Sequence, residues 1–337
     1  MAGGRRDAPF AYPIRVRSSS LGDDMDWLLV STMNGVVYGL LLFMVSAGLT
    51  LIFGMMGVLN FAHASFYMLG AYFAFSLQAR IGFWSAVLVS PVIVGGVGVA
   101  VERFFLRRVH RYGHAHELLL TFGLSFMIAE LVKLFYGNYP VNYRIPPFLD
   151  VAAFTVGGLD YPAYRVLMGG VAMAMFALIY LLLTRTRVGI IVRSAIYKPK
   201  MAEALGHNVP LVFMGVFGVG AALAGLAGAV AGAFYTTNPN MALELGVMVF
   251  VVVVVGGLGS LGGAMLASIL IGVITSLSVG IDASLADVFA LFGARAWAEG
   301  VGGLLTLKVS STAGTIPFAL MLLILLVRPN GLLGEKA

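Results

Sequence analysis

Cysteine is absent from this chain of 337 residues, which excludes disulfides, thiolate metal sites and cysteine nucleophiles. Charge is nearly as scarce: Asp, Glu, Lys and Arg supply 11% of the residues, against about 25% in soluble domains. The phosphate-cradling pattern Gly-x-x-x-x-Gly-Lys-Ser/Thr is missing, so the chain has no standard way to hold ATP. His-Glu-x-x-His, an ordered Ser/His/Asp set and paired intramembrane acids are missing too, and no catalytic residue is nominated. His110, His114 and His116 fall in one basic stretch without an ordered ligand set around them, so no metal is expected. Gly257-Leu258-Gly259-Ser260-Leu261-Gly262, with Asp282 further on, imitates a dinucleotide fingerprint. It lies between apolar runs instead of inside a soluble strand–helix–strand unit, and no bound cofactor is expected there.

What the chain has in abundance is apolar sequence. Hydrophobic residues make up 60% of it, in runs near 28–53, 58–79, 83–105, 117–136, 163–184, 211–234, 245–280 and 315–327. A helix needs about 20 such residues to span a bilayer, so the expected fold is an all-α, polytopic transmembrane bundle. The net charge of +6 predicts no nucleic-acid partner, because the Lys and Arg gather in loops, where they set orientation. The 43 glycines point to close helix packing and interrupted helices. Gly220, Ala224, Gly228 and Gly232 recur every four positions and form one smooth stripe, suited to packing inside the chain or against another subunit.

Two basic stretches, around Arg103–Arg111 and Arg185–Gly206, belong on the cytosolic side. The Pro- and Tyr-rich loop 137–162 between them belongs outside. Residues 1–26 are polar and are expected to form a cytosolic tail, with 27–334 as the membrane domain and 282–312 as an external segment. Eight plain spans would leave both ends outside, so 28–53 and 245–280 are each expected to conceal a further shortened crossing. That gives about eight to ten crossings with both termini cytosolic. Each half then has a break: Gly48–Gly57 followed by Leu59-Asn60-Phe61-Ala62-His63 in one and Gly256–Gly263 in the other. Paired interruptions mark a solute path, since non-helical backbone at membrane depth is tolerated only inside protein or along a wet cavity. Asn60, His63, Ser65, Gly256, Gly257 and Gly259 are the candidate path residues.

The stretch from Arg185 to Gly206 is too long for a turn. Arg185, Arg187, Arg193, Lys198 and Lys200 lead into a helical patch, Met201-Ala202-Glu203-Ala204-Leu205-Gly206. A small cytosolic helix on a membrane protein without its own ATP site suits the membrane half of a transporter driven by a separate engine. Glu102, Glu117 and Glu244 stand near span ends, and Glu130 and Lys133 are spaced to pair on one helix face. No intramembrane carboxylate suggests proton or sodium coupling, which makes a stand-alone ion-coupled carrier the weaker alternative.

Four blocks in order carry a family resemblance. They are Gly48–Gly54 with Leu59-Asn60-Phe61-Ala62-His63 and Met68–Tyr72; Arg193-Ser194-Ala195 with Met201–Gly206; Gly232–Tyr235 with Gly256–Gly263; and Arg328-Pro329-Asn330-Gly331-Leu332. Together they resemble the permeases of ABC importers for branched-chain amino acids, over roughly Asn34 to Gly334. The resemblance implies a subunit of the bacterial inner membrane that works with two cytosolic ATPases, which use ATP and magnesium, a second permease (related or identical) and a periplasmic solute-binding protein. It implies that Arg193, Ala195, Met201, Ala202, Glu203, Ala204, Leu205 and Gly206 couple to the ATPase. The solute would be a branched-chain amino acid or a related small amphipathic molecule. Two departures stand out: Ala64 where the family often has Gly, and the long stretch Asp282–Thr312.

Overall fold

A computed structural model of the protein describes residues 21–156, 159–281, 283–290 and 294–334. The chain opens with α1 (Leu21–Met56), a single helix of 36 residues with no proline. It breaks over residues 57–62 and resumes as α2 (His63–Ile81), followed by α3 (Phe83–Val101), a π-helical turn Glu102–Leu106 and the short α4 (Arg107–Val109). After α5 (His114–Tyr136) comes a two-stranded antiparallel hairpin, β1 (Ala152–Val156) and β2 (Leu159–Pro162). Then follow α6 (Ala163–Arg185), α7 (Arg187–Tyr197), α8 (Pro199–Ala204), α9 (Val209–Ala231), α10 (Met241–Gly256) and α11 (Leu261–Gly280). The last part holds the short helices α12 (Leu285–Ala290), α13 (Arg295–Val301) and α14 (Val309–Thr312), and the closing helix α15 (Ile316–Val327). The fold is therefore an all-α polytopic bundle whose strand content, among the described residues, is confined to the hairpin and isolated bridges.

Glycine positions set the packing. A Cβ at Gly35 would lie 2.5 Å from the Val273 Cα, and one at Gly39 would lie 2.7 Å from the Ile269 Cα, so α1 and α11 meet backbone to backbone. On α9, the smooth stripe faces inward: Gly220 meets Ile52, Gly228 backs onto the Tyr67 carbonyl, and Gly232 meets Ala71. The stripe is thus spent on packing inside the subunit, with α9 laid against α1, α2 and α3. Without a hydrophobic drive between helices in lipid, such close approach supplies the dispersion contact that holds the bundle.

Among the described residues, seven helical stretches are long and apolar enough to cross a membrane, α10 is a shorter apolar helix of 16 residues, and α2, of 19 residues, packs among them. Their direction follows from contacts. Asn34, Met33 and Trp27 at the start of α1 lie beside Arg165, Tyr161 and Gly280 respectively. Gly54 near its end lies beside Gly259 in the second break. One end of the bundle thus carries the start of α1, the hairpin and the end of α11, beside which the described residues 283–290 and 294–312 lie. The other carries both basic stretches and Asn330–Gly334, which packs on Gly257.

One expectation is corrected. The run 245–280 does divide into two helices, but 28–53 holds only the one helix, because its glycines serve α9 and α11 and no residue in it breaks the ladder. The first and last described residues lie at opposite ends of the bundle. The tail 1–20 and Asp282 lie outside the described residues.

Candidate coupling platform and membrane cleft

The basic stretch 185–207 folds as two short helices across the end of the bundle. Thr186 starts α7 by accepting from the Gly189 N–H at 3.2 Å, and Pro199 opens α8. Gly206 closes α8 with φ +85°. Its N–H donates to the Glu203 carbonyl at 2.9 Å and that of His207 to Ala202 at 3.0 Å, a helix stop in the left-handed region that favours glycine. Ala195 and Ala202 are buried with Val209 against Val212 and Phe213. These two alanines therefore face the subunit's own core, and their small size brings the platform onto α9. Arg193, Met201, Glu203, Ala204, Leu205 and Gly206 remain exposed, Met201 at 60% and Leu205 at 75%. The platform thus offers two large apolar side chains and an acid on a basic background, held on a fixed base.

The first break forms the floor of a cleft of about 280 Å³ between α5, α10 and the start of α2. Asn60, His63 and Ser65 all line it and are at most 2% exposed. Asn60 Oδ1 accepts from the Ala62 N–H at 3.1 Å and so shapes the entry to α2. His63 Nε2 lies 2.9 Å from the Val45 carbonyl. That oxygen can only accept, so Nε2 carries the proton and the other nitrogen of a neutral ring is a bare acceptor. Phe61 lies between Phe250 of α10, stacked at 6.1 Å, and Phe122 of α5, edge-on at 6.3 Å. Ala64 faces Gly246 across the cleft wall, and the missing side chain there makes room for it. At the hairpin end Lys133 donates to Glu130 at 2.7 Å, beside Pro239 and Asn240.

The three glycines of the second break stand apart from this cleft. Gly256 and Gly257 lie against the backbone of α11 and the closing residues. The N–H groups of Leu332 and Leu333 donate to the Val255 and Gly256 carbonyls at 2.8 and 3.1 Å, so the chain's end satisfies the orphan carbonyls of α10. Gly259, at φ +85°, packs on Gly54.

Sequence reading missed the ion pairs that tie the platform end together. Glu102 is buried and takes a two-pronged contact from Arg107, whose Nη2 also donates to the Pro210 carbonyl at 2.9 Å. Glu117, 1% exposed, receives both His110 and His114. The available signal was spacing: a Glu five residues before an Arg, and a Glu three residues after a His at a helix start. Thr121 Oγ1 then accepts from the Phe61 N–H at 3.3 Å, which fastens the break to α5. No cluster of three or more metal-binding side chains occurs among the described residues.

Comparison with known proteins agrees with the resemblance. The family model for the permease component of branched-chain amino acid transport systems matches residues 31–325. The high-affinity branched-chain amino acid transport system permease protein LivH of Salmonella typhimurium is 29% identical over 92% of this chain and 96% of its own length. BraD of Pseudomonas aeruginosa, which bears the same description, is 27% identical over 91% and 96%. A probable LivH from Methanocaldococcus jannaschii is 27% identical over 89% and 91%. The matched residues 31–325 take in both breaks and the platform, and the chain belongs to the family of branched-chain amino acid transport permease components.

Proposed function

We propose that this chain is the membrane-spanning subunit of an ATP-driven importer that moves branched-chain amino acids or a closely related amphipathic solute. The observation that carries this reading is the platform at 187–206: an exposed, capped helix pair on a buried base, at the end of the bundle where the basic stretches gather. Lys and Arg beside membrane spans resist translocation, so that end is cytosolic. The start of α1, the hairpin and residues 283–290 and 294–312 then face outward, where a solute-binding protein would deliver its cargo.

In this mechanism two cytosolic ATPases bind and hydrolyse ATP, and α8 docks in a groove of one of them through Met201, Glu203, Ala204 and Leu205. Arg107 bonds to Pro210 at the start of α9, and Glu117 and Thr121 tie α5 to its neighbours, so movement of the platform reaches the break at 57–62 through contacts already in place. A second permease subunit supplies the facing wall of the path, and the complex resides in the inner membrane. The competing reading is an ion-coupled carrier that works alone.

The test is gentle purification of the tagged chain from its native membrane, with mass spectrometry of what accompanies it. Stoichiometric recovery of an ATPase and a second permease supports the importer. Recovery of the chain alone, still transporting in liposomes under an ion gradient, overturns it.

A further inference from the structure

Two polar atoms in the cleft floor have no hydrogen-bond partner: Asn60 Nδ2 and His63 Nδ1. Both residues are at least nine-tenths buried and both line the cleft. One atom is a donor. The other is an acceptor, because the contact of Nε2 with Val45 assigns the ring proton there. A buried unmet donor and a buried unmet acceptor each cost free energy unless something meets them. Immediately beyond them α2 begins, and the first turn of a helix carries partial positive charge.

The remaining surface narrows the ligand. The formally charged side chains among the lining residues, Glu130 and Lys133, neutralise each other at the hairpin end. Near the floor the walls are Phe122 and Phe126 on one side and Val247 and Phe250 on the other. A cleft with no unpaired charge, a matched donor and acceptor at its base and aromatic walls suits a neutral or zwitterionic solute with an apolar body. A free anion or cation would be buried there without a counter-charge.

We infer that this cleft is a solute-recognition site of the chain itself, taking an α-amino acid with an apolar side chain. Its carboxylate meets Asn60 Nδ2, its ammonium meets His63 Nδ1, and its side chain lies against Phe122, Phe126, Val247 and Phe250. Both polar atoms are closed off from solvent in this structure, so the solute reaches them when α5 and α10 separate around Phe61. Discrimination is thus shared between the permease and the protein that delivers the solute. The inference rests on the importer reading above.

The experiment uses the complete complex in proteoliposomes, loaded with its binding protein and supplied with ATP, and a leucine analogue bearing a side-chain diazirine. Cross-links are expected within 114–136 and 241–256 and are abolished by excess leucine. Asn60→Asp keeps the oxygen that caps Ala62 and exchanges the donor for a like charge. It is expected to raise the half-saturating leucine concentration for uptake about tenfold or more, with the complex still assembled. Cross-links lying wholly elsewhere, or an assembled Asn60→Asp complex with wild-type half-saturation, would overturn the site and leave the importer standing. If Asn60→Asp does not assemble, the cross-linking pattern of the unaltered complex decides. A complex that shows no ATP-dependent leucine uptake before any substitution overturns the solute assigned under the importer reading.

Discussion

The hydroxyl of Tyr164, near the start of α6, donates to the Val230 carbonyl near the end of α9 at 2.7 Å. Tyr143, from the loop before the hairpin, does the same for the neighbouring Ala229 carbonyl, also at 2.7 Å. The last carbonyls of a helix have no partner along the helix, and here two phenols from different segments supply them. Both hydroxyls are buried, and burial pushes the Tyr143 phenol up, so it stays protonated and donating through ordinary alkaline conditions.

The first prediction follows directly. Tyr164→Phe keeps the ring stacked on Phe234 and deletes only the donor, as Tyr143→Phe does for Ala229. Each is expected to cost about 1 kcal/mol, and more if the carbonyl stays dry. A lowered thermal midpoint of the purified protein checks it; a midpoint unchanged in both variants would show that water or lipid replaces the phenols.

A second prediction concerns the contact of α9 with α2. Any Cβ at Gly228 would run into the Tyr67 carbonyl, whereas one at Gly215 on the same helix meets nothing within 4 Å. Gly228→Ala should therefore destabilise by about 1–3 kcal/mol through forced separation of the helices, while Gly215→Ala should be neutral or slightly stabilising. Thermal unfolding in one detergent compares the two.

The ion pair beneath the platform gives a third. Arg107→Met leaves Glu102, buried at 4% side-chain exposure, without its cation. Losing one partner of a buried pair costs about 3–5 kcal/mol, and the 40% exposure of the Arg107 side chain places this case toward the lower end. Adding Glu102→Gln should recover part of the loss, because the uncompensated charge is then gone. If the double variant is no more stable than Arg107→Met alone, the pair is not what holds this corner.

Coupling supplies the fourth. Glu203 is exposed on α8, and Gly206 sits at φ +85°, which proline cannot adopt. Glu203→Arg and Gly206→Pro are each expected to leave insertion intact and to lower uptake more than about tenfold by losing the docking contact, while the ATPase still turns over. Uptake at the wild-type rate, at matched protein levels, would remove the docking role assigned to this helix.

Much of this molecule could be read from residue order. Apolar runs of spanning length, glycine and Asn-Phe-Ala-His interruptions, and the basic patches among them already define a helical membrane protein with a platform on one face. These are local properties: hydropathy needs no neighbour, and a break shows in the residues that make it. The number of passes was harder. The run 28–53 is rich in glycine, and only contact with α9 and α11 shows that its glycines are packing positions and not interruptions. The two buried acids were equally hidden, because a Glu near a span end reads the same whether it faces water or an Arg five residues on.

The breaks show the division most clearly. By itself the sequence determined that the apolar runs are interrupted before Ser65 and over Gly256–Gly263, and that a short helical patch ends at Gly206. Tertiary structure alone decided that the two breaks are used differently. The second is closed by the chain's own end, since Leu332 and Leu333 reach its carbonyls. The first is left with a donor, Asn60 Nδ2, and an acceptor, His63 Nδ1, that no distant segment reaches. Hydrogen-bond demand is written residue by residue, whereas its satisfaction depends on which distant segment arrives to meet it.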